Sequence, residues 1–300
     1  MSRFLQLTTI LLLVGCQTAT KKTNSLQNDI KQILADKKAT VGVSIIGTDG
    51  KELVAINADK KFPLQSVFKY HIALTMLSQI DEGKFSLNQK IEIQKKDLLP
   101  NLWSPLREEN PDGGSFKISK LIEYSVALSD NVGCDALLRL IGGPIVVENY
   151  IKKNNIKDIS VKINEETMQS NWDLMHQNWI TPSAANKTLL TFFENKNMIL
   201  SDKSHTYIWK VMKETDTGEN RLKGLLPKGT IVAHKTGSSG TNEEGITEAV
   251  NDIGVVFLPN GKHFFISVLV TNSKEDQKTN EKIIASIAKA TWDYYTSQSK

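Results

Sequence analysis

The chain is organised around the stretch Phe62-Pro63-Leu64-Gln65-Ser66-Val67-Phe68-Lys69. Ser66 opens a largely apolar run from Val67 to Ile80 whose length and spacing predict a helix. Gly83, after Asp81-Glu82, is placed to close it. Positions three apart share a helix face, so Lys69 is expected beside the Ser66 hydroxyl. In the first turn that hydroxyl also meets unpaired N–H groups and the positive end of the helix dipole. A hydroxyl there, with an amine in reach, is a candidate activated nucleophile. The commoner fate of such a pattern is a serine N-cap followed by a solvated lysine. Ser286-Ile287-Ala288-Lys289 and Ser297-Gln298-Ser299-Lys300 carry the same spacing. The rest of the chain must therefore supply the partners that Ser66 needs.

Upstream, Leu26, Ile30, Ile33 and Leu34 recur at helical spacing. Val41, Val43 and Ile45 then alternate with small residues, and Asp49-Gly50 turns the chain into Leu53 to Ile56, a β-hairpin pattern. Downstream, as far as about residue 210, the patterns are helical: Ile118 to Leu128, Asp135 to Ile141, Val146 to Lys153, Pro182 to Phe193 and Lys203 to Met212. Ser160 to Trp179 is polar and irregular, and a loop of that length in a compact region is usually functional. Strand character returns at Thr230 to Ala233, Glu248 to Leu258 and Lys262 to Thr271, the last two joined by Pro259-Asn260-Gly261. Ile283, Ile284, Ile287 and Thr291 mark a closing helix. With strands at both ends and helices between, the expected fold is α/β in the α+β sense. An antiparallel sheet is built from both ends of the chain and flanked by terminal helices, with an all-α lobe inserted and a ligand cleft between. In residue terms, 25–64 and 213–300 form the α/β lobe, and 65–212 the helical lobe with its long loop at about 160–180.

Composition sets limits. Of 300 residues, 40% are hydrophobic and 23% charged, ordinary globular values. The net charge of +4 is small and the basic residues are scattered, so nucleic acid is not an expected partner. His71, His176, His205, His234 and His263 show no metal-ligand spacing, and no Gly-rich phosphate loop is present, so neither metal nor cofactor is expected. Arg3 followed by the apolar Phe4 to Gly15 suits a signal peptide over 1–15 and is too short to span a bilayer. It ends Leu13-Val14-Gly15-Cys16, which resembles a bacterial lipobox; lipidation of Cys16, a tether over 16–24 and a periplasmic, lipid-anchored location favouring the outer membrane follow as expectations. Cys134, in an apolar run, is expected to be a packed thiol.

Three more segments carry polar groups where apolar packing is expected. Ser129-Asp130-Asn131 combines a hydroxyl that can pass a proton, a carboxylate that can brace a loop and an amide that can bond a substrate amide; locally it is as good a helix N-cap. His234-Lys235-Thr236-Gly237 brings a cation and a hydroxyl to a strand end, which suits a substrate carboxylate, and is otherwise an ordinary charged strand end. Asn164-Glu165-Glu166-Thr167-Met168-Gln169 offers carboxylates in the long loop that are otherwise solvated acids. Ser-x-x-Lys, Ser-Asp-Asn and Lys-Thr-Gly in this order resemble the signature of class A β-lactamases and penicillin-binding proteins. From about Leu26 to Trp292 the chain resembles a class A serine β-lactamase, and Gln65-Ser66-Val67-Phe68-Lys69, Leu99-Pro100-Asn101 and Leu225-Leu226-Pro227 are most similar to the Bacteroidetes-type subgroup of cephalosporinases and extended-spectrum enzymes.

The resemblance implies a β-lactamase/transpeptidase-like fold with a five-stranded antiparallel sheet. It also implies a monomer acting on small-molecule β-lactams, cephalosporins and also penicillins, and conferring resistance to them. Ser66 becomes the acylated nucleophile, with Lys69, or Glu165 through a water, taking its proton. For Lys69 to be the base it must be neutral, which burial and nearby positive charge favour. The backbone N–H groups of Ser66 and Ser238 become the oxyanion hole, Ser129 the proton relay to the leaving nitrogen, and Glu165 the base for deacylation. Two positions depart from the family pattern. Gln169 stands where the family has asparagine, and Asn251 stands where many relatives carry an arginine for the substrate carboxylate. Arg221, Lys235, Thr236 and Ser238 are expected to share that carboxylate, with Gly237 beside them, Asn131 and Gln169 in the site, Trp103 at the cleft mouth and Asp130 bracing it. The alternatives are a D,D-peptidase or penicillin-binding protein, which normally lacks the deacylating glutamate, and a sensor lipoprotein that acylates and stops.

Overall fold

Both ends of the chain enter one sheet. The computed structural model describes residues 25–297; the expected signal peptide, Cys16 and the tether lie outside them. Helix α1 (25–34) leads to strands β1 (Thr40–Ile46) and β2 (Glu52–Ile56), and a short β3 (Phe62–Pro63) precedes the 3-10 turn Gln65–Val67. Helix α2 (Phe68–Asp81) is followed by β4 (Lys90–Gln94), α3 (Pro105–Glu109), β5 (Gly113–Lys117), α4 (Ile118–Ala127), α5 (Asn131–Ile141) and α6 (Pro144–Lys153). Then come β6 (Ile159–Ser160), α7 (Glu165–Ser170), β7 (Trp179–Ile180), α8 (Pro182–Glu194) and α9 (Asp202–Lys213). Strands β8 (Val232–Ser238), β9 (Val250–Phe257) and β10 (His263–Thr271) and helix α10 (Gln277–Thr296) complete the chain.

The main sheet has five antiparallel strands in the order β2-β1-β10-β9-β8. Alternation along each strand divides two cores. Val41, Val43 and Ile45 of β1 and Phe264, Ile266, Val268 and Val270 of β10 face the terminal helices, where they meet Leu26, Ile30, Ile283, Ile284 and Ile287. Phe265 and Leu269 face the other way, into the larger core of the central helices. On that side Gly42 has to be glycine: a Cβ would stand 2.4 Å from the Phe62 ring and 2.6 Å from Pro182. Asn186 of α8, fully buried, crosses the same layer and donates to Ser44 O at 2.7 Å while accepting from Ser267 Oγ at 2.7 Å. Helix α2 runs through the larger core, buried from Phe68 to Ser78, which is why its apolar residues are spread around the helix and not confined to one stripe.

The structure corrects several expectations. The inserted lobe is not all-α: β4 and β5 pair antiparallel within it, and β3, β7 and β6 form a small three-stranded sheet. Lys90-Ile91-Glu92-Ile93-Gln94 does alternate, but its partner begins Gly113-Gly114, which has no strand propensity. Gly113 holds φ +84° there, and a Cβ would lie 2.2 Å from Ile93 O. The 160–180 segment contains a helical turn, α7, and a 3-10 turn, Trp172–Gln177. His234 to Gly237 lie inside β8 and not at its end. Ser66 sits in a 3-10 turn ahead of α2, and neither that turn nor α2 has a side-chain N-cap bond. Cys134 is a buried free thiol.

Replacing Asn186 by leucine takes the acceptor from the buried Ser267 hydroxyl and a second donor from the Ser44 carbonyl. Urea unfolding is expected to show a loss of about 2–3 kcal/mol for Asn186→Leu.

Candidate active site

The site is gathered on one nitrogen. Lys69, fully buried on the first turn of α2, places Nζ 2.6 Å from Ser66 Oγ, 2.6 Å from Asn131 Oδ1, 2.6 Å from Glu165 Oε1 and 3.1 Å from Ser129 O. Glu165 Oε1 is itself 3.4 Å from Ser66 Oγ. An ammonium has three protons and an amine two. Four oxygens around one nitrogen therefore mean that at least one contact is served by a proton the oxygen holds or by a shared one. The hydroxyl of Ser66 is the group that can supply it.

Each partner is delivered by a separate local device. Gln65, at φ +45° in a region that side chains rarely adopt, turns the chain so that Ser66 follows directly. Ser129 is likewise at φ +58°, and Asp130 behind it caps α5 by accepting from Gly133 N at 2.7 Å. The other Asp130 oxygen accepts from Ser104 Oγ at 2.8 Å and Leu106 N at 2.7 Å. Cap and site brace are thus one residue doing both. Burial raises the Asp130 pKa, with those bonds opposing it.

Strand β8 closes the other side. Ser239 N donates to Ala249 O at 3.0 Å and Phe257 N to Ile231 O at 3.1 Å. Alternation in the antiparallel ladder therefore turns the odd residues of β8 toward β9 and the Ser238 N–H toward the free edge. The Ser66 turn packs on that strand: a Cβ on Gly237 would meet Leu64 O at 2.8 Å and Gln65 Cβ at 3.2 Å. Lys235 is fully buried and donates to Ser129 Oγ at 3.0 Å and Thr236 O at 3.0 Å. Burial, then the Lys69 charge, hold its pKa well below the ordinary lysine value. Thr236 Oγ1 lies 2.6 Å from Thr217 Oγ1.

A serine hydroxyl between a buried lysine and a buried glutamate, with a second buried lysine on a second serine hydroxyl, has the parts of an acyl-transfer site. Residues 25–295 match the model of the β-lactamase enzyme family. The chain is 53% identical to β-lactamase VEB-1 of Pseudomonas aeruginosa over 274 residues, covering 91% of each chain. It is 36% identical to a β-lactamase of Bacteroides uniformis, covering 97% of this chain and 98% of that one. A class A β-lactamase structure from Bacteroides cellulosilyticus superposes with a TM-score of 0.88 at 37% identity, covering 92% and 99% of the two chains. The chain belongs to the class A serine β-lactamase family. It hydrolyses β-lactams and confers resistance to them.

The remaining candidates of this β-lactamase occupy distinct places. Trp103 is 58% exposed and lies over the Ser129–Asn131 segment, its ring N–H donating to Leu128 O at 3.3 Å and its carbonyl accepting from Asn131 N at 3.0 Å. Gln169 and Glu166 are on the exposed side of α7. Arg221 is buried under β8, where its guanidinium donates to Gly237 O at 3.0 Å, Asn251 O at 2.9 Å and Ser238 Oγ at 2.6 Å. It touches the cleft through Ser238. Asn251 is committed elsewhere, donating to Pro63 O at 2.8 Å and tying β9 to the approach to Ser66.

Two residues that the sequence analysis did not single out hold the loop that carries Glu165. Asp135 accepts from Glu165 N at 2.9 Å, Glu166 N at 3.0 Å and Asn164 Nδ2 at 3.0 Å. Asn178, fully buried, accepts from Lys162 N at 2.7 Å and Ile163 N at 3.1 Å and donates to Ile163 O at 2.9 Å. Asp135 stands four residues after Asn131, on the same helix face, which was the available signal.

Burial pushes the Asp135 pKa up to about 6, with the Glu166 and Glu165 N–H groups opposing it. A carboxylate raised above its unfolded value favours the native state below the unfolded pKa, and that contribution is lost as pH rises through the folded one. From about pH 4 to pH 7 the native enzyme should therefore lose stability relative to Asp135→Asn, by up to about 3 kcal/mol. Urea unfolding of both proteins at each end of that range measures it.

Proposed function

We propose that Ser66 is the nucleophile that opens the β-lactam ring and that Glu165 activates the water that releases the product. The single observation behind this is Glu165 Oε1 at 3.4 Å from Ser66 Oγ, with Lys69 Nζ 2.6 Å from each. In acylation the Ser66 proton passes to Lys69, the nearer of the two bases, while the ring carbonyl oxygen takes hydrogen bonds from the Ser66 and Ser238 N–H groups. A donor of that kind is worth about 3–4 kcal/mol in the transition state. Ser129, linked to Lys235, then protonates the departing nitrogen and is reprotonated by the proton that Lys69 took from Ser66. Asn131 takes the substrate amide, with Gln169 at the outer rim of α7 and Trp103 at the mouth. In deacylation Glu165 removes a proton from water as it attacks the ester, and the Ser66 oxygen leaves with a proton returned through Lys69. A penicillin-binding protein or an acylation-only sensor needs no acid at that place.

The substrate carboxylate is assigned to Lys235, Thr236 and Ser238, on the edge presented by Gly237. Arg221 orients Ser238: because its guanidinium donates to Ser238 Oγ, the hydroxyl proton is free to point into the cleft. Cephalosporins are the preferred class, in keeping with the extended-spectrum β-lactamase PER-1 of Pseudomonas aeruginosa, 43% identical to this chain. The enzyme works as a monomer in the periplasm, tethered through lipidated Cys16.

Glu165→Gln is expected to acylate and then stall, with turnover reduced roughly 10²–10⁴-fold and a lasting mass adduct on Ser66. Fast turnover by that variant removes Glu165 from the reaction. Arg221→Ala should lower kcat/KM for several substrates at once, and unchanged values contradict its assignment. In steady-state assays of the native enzyme, kcat/KM for cephalosporins should exceed that for benzylpenicillin, and the reverse order contradicts the preference.

A further inference from the structure

Strand β8 is the outer strand of the main sheet, and among the described residues no strand pairs with its free edge. A short segment after α9 lies there instead and meets the edge with hydroxyls. Thr215 Oγ1, buried, donates to His234 O at 2.7 Å, and two residues on, Thr217 Oγ1 lies 2.6 Å from Thr236 Oγ1. The matching steps, 215 with 234 and 217 with 236, run the segment alongside β8 in the same direction. Its backbone is pinned on both sides: Asp216 N donates to Ala127 O at 3.1 Å, Lys223 Nζ to Thr215 O at 3.0 Å and Arg221 N to Gly218 O at 2.9 Å. Gly218, at φ +74°, closes the contact, since a Cβ there would stand 2.5 Å from Thr236 Cγ2. The Thr236 methyl is thereby held against Gly218 and its hydroxyl against Thr217. The His234 ring takes no part; its Nδ1 lies 2.9 Å from Asp252 Oδ1.

Neither the Thr217 nor the Thr236 hydroxyl has another hydrogen-bond partner among the described residues. Together they hold two protons and share one bond, so one proton stays free whichever of them donates. A carboxylate decides the direction, because it can only accept. Once the Thr236 proton turns to a substrate carboxylate, two oxygens 2.6 Å apart would face each other with lone pairs alone unless Thr217 donates. The bonds then run from the Thr217 hydroxyl to the Thr236 hydroxyl to the carboxylate, and each donation strengthens the next.

We propose that Thr217 is a positioning residue for the substrate carboxylate, acting through Thr236: its hydroxyl donates to Thr236 Oγ1 and so commits the Thr236 proton to the substrate. The inference rests on the assignment of Thr236 to that carboxylate.

The test compares kcat/KM for a penicillin with its free carboxylate and for the methyl ester of the same penicillin, which offers Thr236 only an uncharged acceptor. Thr217→Ala is expected to lower the value for the acid roughly 5–10-fold and that for the ester less than about twofold. Thr217→Ser keeps the hydroxyl and should restore the acid to the native value. On a Thr236→Val background, where the series of bonds is already cut, adding Thr217→Ala should bring no further loss. Should Thr217→Ala not fold, Thr217→Val makes the same comparisons. A native value for the acid in Thr217→Ala, an equal loss for acid and ester, a serine variant no better than the alanine one, or a full further loss on the Thr236→Val background each overturn the proposal. Failure of the underlying assignment reads differently. If Thr236→Val alone lowers acid and ester by the same factor, or lowers neither, Thr236 does not hold the carboxylate and this inference falls with it.

Discussion

Everything in the cleft depends on Lys69 Nζ having four oxygen neighbours and at most three protons. That shortage is what couples the groups. A proton given to one oxygen is withdrawn from another, so the Ser66 hydroxyl proposed to attack and the Glu165 carboxylate proposed to drive water belong to one hydrogen-bonded unit. Complete burial of Lys69 sharpens the effect, because no solvent can make up the missing bond. The two half-reactions therefore need no separate sites, only a change in which oxygen holds the proton.

The fold supplies this node from places far apart in the chain. Ser66 and Lys69 come from the entry to α2, Ser129 and Asn131 from the turn into α5, Glu165 from α7 and Lys235 from the edge strand β8. Small backbone devices aim them: left-handed Gln65 and Ser129, the Asp130 cap, and Asp135 holding the first N–H groups of α7. Such strained positions concentrate where a site must be held open. Burying Lys69, Lys235 and Arg221 around one cleft is tolerable because Glu165, Asp252 and Glu281 lie among them. The positive field that remains suits a substrate that arrives as an anion.

Much of this was legible in the sequence, for physical reasons. The helices carry strong periodicity, and the edge-to-edge sheet follows from alternating residues at both ends of the chain. The signature residues are short-range patterns, Ser66 with Lys69 and Ser129 with Asn131, that one helix turn or one loop brings together. What escaped depends on partners distant in sequence. Asp135 reads as an odd charge in an apolar helix until α7, 30 residues on, is laid against it. His234 and Asp252 become a pair only once the register of β8 and β9 is known. Strand β5 was hidden because its glycines are there for close approach to β4 and not for strand propensity. Arg221 was placed in the right neighbourhood, but the structure turns its guanidinium onto backbone carbonyls and the Ser238 hydroxyl.

The most direct test of a single proton-sharing node is the Lys69→Met enzyme mixed with a β-lactam and followed by time-resolved mass spectrometry of Ser66. The account predicts that the adduct both forms and disappears far more slowly than in the native enzyme, by roughly 10²-fold or more in each phase. Native rates of formation and loss in that variant would show that Ser66 and Glu165 work without the shared nitrogen.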